Sequence, residues 1–202
     1  MDEVRRPKKR LPKEETRENL VQTTLTLLEN DGLEAVKARN VAEGAGVALG
    51  TIYNMFEDLD GLIMEANGRT FADLGMAMGE VAKANHVNEL GAFDSLMAFC
   101  EGYIEFVLAN SNRWLATISY SSQMSAKPPA WYVERQDNLF AMVEGQLERE
   151  PQIDKTQIEP LARAMWCSVH GIVSTNFRTP MHPEPKPVMM EYCRMVLSAL
   201  MR

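Results

Sequence analysis

Leu49, Thr51, Tyr53 and Asn54 stand close enough in sequence to share the outer face of one short helix, with Gly50 among them. Their chemistry suits a polyanionic duplex. Threonine and tyrosine hydroxyls match phosphate oxygens, an asparagine amide matches the adenine edge, and side chains of this size enter a major groove. The residues before them read as the support for that helix. A short helix at about 38–45 carries Val41, Ala42 and Ala45; Gly46 breaks it; a second short helix runs from about 49 to 55. Ala42 and Ala45 are small enough for two helices to approach closely. Gly46 permits the backbone of the turn, and Val47 and Ile52 can wedge beneath it, as in a helix-turn-helix.

A second group is apolar with polar edges. Phe99, Tyr103, Trp114, Ile118, Met124, Trp131, Phe140, Trp166 and His170 are spread over four helical segments. Aromatics at helical spacing usually fill a core. Here fourteen Met, with Thr117, Ser119, Ser121 and Ser122, also suit an adaptable apolar cavity between helices. Such a cavity favours an apolar or aromatic organic molecule. Arg113 stands alone as a cation in residues 88–125, which argues against a highly anionic one.

Catalytic signatures are missing from the sequence. There is no GxSxG, no phosphate-cradling loop, no metal-ligand quartet and no Cys/His pair with local context, so an enzyme is not expected. Glu101, Glu105 and Glu144 are at helical spacing and read as a charged face. No metal and no cofactor are expected. His86 and His182 fall in loops, and His170 reads as hydrogen-bonded within a packed helix. Cys100, Cys167 and Cys193 are far apart and odd in number, which excludes a disulfide framework and makes the cytoplasm the expected compartment.

The framework for these groups is helical nearly throughout, so the expected class is all-α. Leu20, Thr24, Leu27 and Leu28 mark a first helix at about 14–31, closed by Gly32. Asp58 is a good N-cap for a fourth helix reaching Lys83, along which Gly61, Gly68, Gly75 and Gly79 recur, permitting either bending or close packing. Further helices fall near 89–109, 112–124, 130–149, 157–178 and 187–201, about nine in all. Pro180, Pro183, Pro185 and Pro187 mark an extended loop that no helix crosses. The last two helices are apolar on more than one face. Val169, Ile172, Val173, Met195, Val196 and Ala199 are the candidate interface of a homodimer; the alternative is a fully internal pair.

Length and charge bound the rest. The chain has 202 residues, 46% of them hydrophobic and 24% charged, values that fit a globular protein and exclude global disorder. No apolar run is long enough for a membrane helix, and the N-terminal segment lacks the apolar stretch of a secretory signal. The net charge is −7, yet residues 1–17 carry a local +3 from Arg5, Arg6, Lys8, Lys9, Arg10, Lys13 and Arg17 against four acids. A basic arm (1–13) on an acidic body is a charge asymmetry that invites a polyanionic partner.

Residues 32–56, GLEAVKARNVAEGAGVALGTIYNMF, resemble the signature GxxxxxxRxVAxxAGVxxGTIYxxF of the tetracycline-repressor family of transcription regulators. The resemblance extends over 16–62, from TRENLVQTTLTLLENDG to the start of the next helix at LDGLI. Trp166 to Gly171 resemble the Trp-x-x-x-His-Gly pattern of one C-terminal domain class of that family. The resemblance implies an N-terminal three-helix head (14–60) that binds a double-stranded DNA operator, and a helical-bundle body (61–202) for dimerisation and small-molecule effector binding. It implies that the third helix enters the major groove, with Lys37, Arg39, Ala48, Leu49, Thr51, Tyr53 and Asn54 at the DNA.

The head departs from the family pattern at Lys37, Ala48, Met55 and Leu59. The last three replace a polar or basic phosphate partner. Residues 40–68 contain no Lys or Arg but contain Glu43, Glu57, Asp58, Asp60 and Glu65. Because DNA affinity depends on phosphate neutralisation, the arm and Arg17, with Lys37 and Arg39 beside the groove, are expected to supply the positive charge. The expected protein is a repressor released by its ligand. Activation or co-repression stays open, as does a family member that has lost DNA binding and acts as a ligand- or protein-binding dimer.

Overall fold

The computed structural model describes residues 12–123, 127–178 and 185–202. Among them are nine α-helices and no strand. The chain divides into two compact units between Ala66 and Asn67, inside the fourth helix. The basic residues Arg5, Arg6, Lys8, Lys9 and Arg10 lie outside the described residues, as do Met124, Pro180, His182 and Pro183.

The first unit is built from α1 (Lys13–Asp31), α2 (Ala38–Gly44), α3 (Leu49–Met55) and the start of α4 (Leu59–Ala84). Gly32 ends α1 at φ +77°, donating its N–H to Leu28 O at 3.2 Å. Gly46 sits at φ +67° in the turn between α2 and α3, a conformation that L side chains rarely adopt. Leu20, Leu28, Val41, Ile52 and Leu62 form the centre beneath the turn, each fully buried. Burying one such side chain contributes about 1.5–3 kcal/mol. The close approach of α2 to α1 falls to Gly44, where a Cβ would come within 2.7 Å of the Thr23 methyl. Asp58 caps α4, its Oδ1 accepting the Gly61 N–H at 2.7 Å.

At α3 the cap is missing. Ala48 holds extended backbone at the N-cap, and Thr51 N–H reaches Ala48 O at 2.8 Å, but no side chain accepts from the first turn. Ala48→Ser is therefore expected to stabilise the head by about 0.5–2 kcal/mol, because the hydroxyl satisfies an orphan N–H. A rise in the chemical-denaturation midpoint checks this.

The second unit holds the rest of α4 with α5 (Ala92–Ala109), α6 (Ser111–Gln123), α7 (Ala130–Leu147), α8 (Ile158–Arg178) and α9 (Pro185–Leu200). Its core runs through Met78, Ile104, Val107, Leu147, Met165, Val173, Met189 and Leu197. The α4 glycines serve close packing at two positions. A Cβ at Gly68 would collide with the Arg135 guanidinium, and one at Gly75 would meet Leu139 at 3.3 Å. Gly79 has nothing within 4 Å.

Two expectations are corrected. Pro185 and Pro187 do not lie in a loop; they form the first turn of α9, where a missing N–H costs no intrahelical bond. The inward faces of the last two helices are also redistributed. Val169 and Val173 are buried in the chain's own core, and α9 turns Met189, Cys193 and Leu197 inward. Met195 (62% exposed) and Ala199 lie on the outer face, while Ile172 and Val196 are half-buried. Beside them α9 exposes Tyr192, and α8 exposes the small residues Ala164, Cys167, Gly171 and Thr175. No helix among the described residues is long and apolar enough to cross a membrane.

Candidate nucleic-acid interface and ligand cavity

The head presents α3 outward. Leu49 is 47% and Tyr53 53% exposed, Asn54 and Ala48 are exposed, and Thr51 is half-exposed. Large apolar and aromatic side chains left in water on a short helix need a partner or a reason. The scaffold holds that helix through α1. Asn19 Nδ2 donates to Ala45 O at 2.9 Å, fixing the end of α2. Arg17 Nη1 donates to Met55 O at 2.8 Å, at the C-terminus of α3, where a cation complements the helix dipole. Lys37 and Arg39 are exposed and have no partner among the described residues.

Arg17, expected at the DNA, is held by contacts within the head. Besides the Met55 carbonyl, its guanidinium lies 4.2 Å over the Phe56 ring and 3.5 Å from a Glu65 oxygen. These partners lie 38 or more residues away, so local sequence held no signal for them. The acidic stretch is likewise partly engaged within the head. Asp58 caps α4 and Glu65 faces Arg17, while Glu43, Glu57 and Asp60 are the other acids of that run, each exposed.

In the second unit the helices enclose a cavity of about 260 Å³. Tyr103, Trp114, Ile118, Phe140, Trp166 and His170 line it, six of the nine residues expected there. Sequence reading missed Thr70, Phe71 and Leu74 from α4 and Gln136 and Leu139 from α7. Two expected residues are elsewhere. Phe99 lines a separate void of about 30 Å³. Trp131 is 36% exposed, stacking edge-on with Tyr132 and beneath Arg135.

The polar groups of the cavity are ordered by a relay. Trp114 Nε1–H donates to Tyr103 Oη at 3.0 Å, and Tyr103 Oη lies 2.8 Å from His170 Nδ1. The indole can only donate, so the phenol accepts from it. Burial pushes the Tyr103 hydroxyl well above its ordinary pKa, so it keeps its proton, and His170 Nδ1 is its acceptor among the described residues. Counting donors therefore assigns the His170 proton to Nε2. Arg113, 7% exposed, pairs with Asp73 at 2.6 Å, so its charge is neutralised locally. Among the described residues, no Lys, Arg, Asp or Glu lines the cavity. Glu101 and Glu105 are engaged with Lys186 at the start of α9.

Burial lowers the His170 pKa from its ordinary value. The imidazole is neutral at pH 7, and the unfolded chain binds the proton more readily. The stability that this supplies is complete above about pH 6.5, the unfolded value, and is lost as pH falls toward the lower folded value. His170→Gln is expected to flatten this part of the profile, measured as Tm between pH 7.5 and 5.

A short outward helix on a rigid three-helix head, followed by a helical body enclosing an apolar cavity, defines the architecture of a helix-turn-helix regulator. Residues 96–199, which include Trp166 and His170, match the family described as tetracyclin repressor-like, C-terminal domain. The chain belongs to the tetracycline-repressor family of transcriptional regulators. A curated relative, the HTH-type transcriptional repressor KstR of Mycolicibacterium smegmatis, is 42% identical over 57 residues, 28% of either chain. A putative transcriptional regulator from Pseudomonas aeruginosa shares the fold at TM-score 0.66 and 20% identity, over 95% of this chain and 92% of that one. The regulator FadR from Bacillus subtilis, solved in complex with stearoyl-CoA, shares it at TM-score 0.70 and 14% identity, over 90% and 97%.

Proposed function

We propose that this regulator is a repressor that binds a palindromic operator as a homodimer and is released by a small apolar or aromatic molecule. The observation that carries the reading is the outward face of α3, with Leu49, Thr51, Tyr53 and Asn54 accompanied by the exposed Lys37 and Arg39. The N-terminal basic residues add positive charge to the same end of the sequence. The repressor sign draws support from the relative named above.

The dimer draws support from the outer face of α8 and α9. Small residues on one helix and Tyr192, Met195 and Ala199 on the other suit close helix packing around a two-fold axis. Ligand enters the reading through the cavity, which shares Thr70, Phe71 and Leu74 with α4, the helix that also begins in the head. A ligand that favours one arrangement of α4 shifts the population away from DNA binding. The long anionic thioester held by FadR is a poor guide here. A cavity of about 260 Å³, lined by no cation among the described residues, suits a smaller molecule.

A second reading keeps the dimer and the cavity but drops DNA. Its support is the absence of any Lys or Arg from residues 40–68. Selection of genomic fragments by the purified protein separates the two. Enrichment of a palindrome at low and moderate salt is the expected result; retention of no fragment at either salt, with a dimeric mass in sedimentation, would favour the second reading.

A further inference from the structure

The cavity carries more chemical information than its apolar lining alone, and this inference rests on the effector-cavity reading above. The relay orients one of its donors, His170, beside which the lining carries the Gln136 carboxamide. With Nδ1 occupied by the Tyr103 hydroxyl, the imidazole of His170 offers an N–H at Nε2, which has no protein partner among the described residues. Thr70 and Thr117 hydroxyls also line the cavity but are already drawn into the Arg113 network. Thr70 Oγ1 accepts from Arg113 at 3.3 Å, and Thr117 Oγ1 donates to the Arg113 carbonyl at 3.0 Å. Arg113 itself, a buried cation, is paired with Asp73.

From this geometry we infer that the effector is an uncharged, compact ring compound bearing a carbonyl-type acceptor, which receives the His170 Nε2 proton while its rings pack against Trp166 and Phe140. Size sets the scaffold. An apolar cavity of about 150 Å³ binds benzene, so about 260 Å³ holds a bicyclic or substituted monocyclic skeleton. Charge sets the functional group. A carboxylate here would be buried with no cation among the described lining residues to pair it, a heavy desolvation cost. Tyr103 acts as a positioning residue, because it fixes which nitrogen of His170 carries the proton. Trp114 fixes Tyr103 in turn.

The test is calorimetric titration of the full-length protein with three probes of one skeleton: 1-tetralone, tetralin and 5,6,7,8-tetrahydro-1-naphthoate. The ketone is expected to bind about five- to ten-fold more tightly than the hydrocarbon, the range of one hydrogen bond. The anion is expected to bind at least about a hundred-fold more weakly than the ketone. In His170→Phe, and in Tyr103→Phe, the preference for ketone over hydrocarbon is expected to disappear while tetralin binding is kept. His170→Gln, which can accept from Tyr103 and still donate, is expected to restore part of it. Equal binding of ketone and hydrocarbon, or a preference for the anion, overturns the inference and leaves the effector cavity standing. Failure of all three probes to bind overturns the inference and the effector-cavity reading together.

Discussion

Replacing Lys37 and Arg39 together by alanine is expected to lower affinity for DNA of every sequence by on the order of 10³ at 0.1 M salt. It should also flatten the salt dependence by about four in the log–log slope. Both side chains are exposed, and neither has a partner among the described residues. In the proposed homodimer they contribute four cations. Each phosphate neutralised adds about 0.9 to the slope, and against a 1 M reference four such contacts amount to between three and four decades at 0.1 M. The loss is uniform across sequences because phosphate contacts carry no base information. Fluorescence anisotropy over a salt series reads both quantities. Arg17→Ala makes the contrast. Its guanidinium holds the Met55 carbonyl and the Phe56 ring, so it acts by positioning α3. Its loss is expected to lower the stability of the head and leave the salt slope unchanged.

The second large effect concerns the body. Gly102 on α5 packs against α4 so closely that a Cβ would lie 2.9 Å from Met78 Cα and 3.2 Å from Ala77 O. Both are backbone atoms and cannot rotate away. Gly102→Val is therefore expected to destabilise the body by about 3 kcal/mol or more, the upper range of overpacking, despite the gain from removing a helical glycine. Gly145 on α7 is exposed and has nothing within 4 Å. Gly145→Ala is expected to stabilise by about 0.5–1 kcal/mol through helix propensity alone. The two substitutions remove a helical glycine and carry opposite signs. Urea denaturation with circular dichroism distinguishes them.

Features governed by neighbours in sequence were legible. The Gly46 turn, the Gly32 terminus and the Asp58 cap each follow from two or three adjacent residues. Helix periodicity located all nine helices for the same reason. Features governed by distant neighbours were not. Gly44 and Gly102 look like ordinary helical glycines until Thr23 and Met78 are placed beside them. Arg17 looked like one more member of a basic run, yet its partners come from the end of α3 and from α4. The faces of α8 and α9 failed for another reason. Each helix carries two apolar stripes, and hydrophobicity alone cannot say which faces inward; Val169 and Val173 went in, Met195 stayed out. Among the cavity residues, aromatic content located Tyr103, Trp114, Phe140 and Trp166 but also drew in Trp131, which lies on the surface. Thr70 and Gln136 gave no sequence signal, since isolated polar residues on amphipathic helices usually face water.

The central claim is that two copies of α3 read two half-sites on one face of a duplex. The measurement that meets it most directly is a hydroxyl-radical footprint of the most enriched genomic fragment, at a protein concentration that saturates it. Two protected half-sites, centred about one helical turn apart or roughly 34–36 Å, are expected, with protection lost in the Lys37→Ala/Arg39→Ala variant. A single protected half-site, or uniform protection without register, would contradict the account.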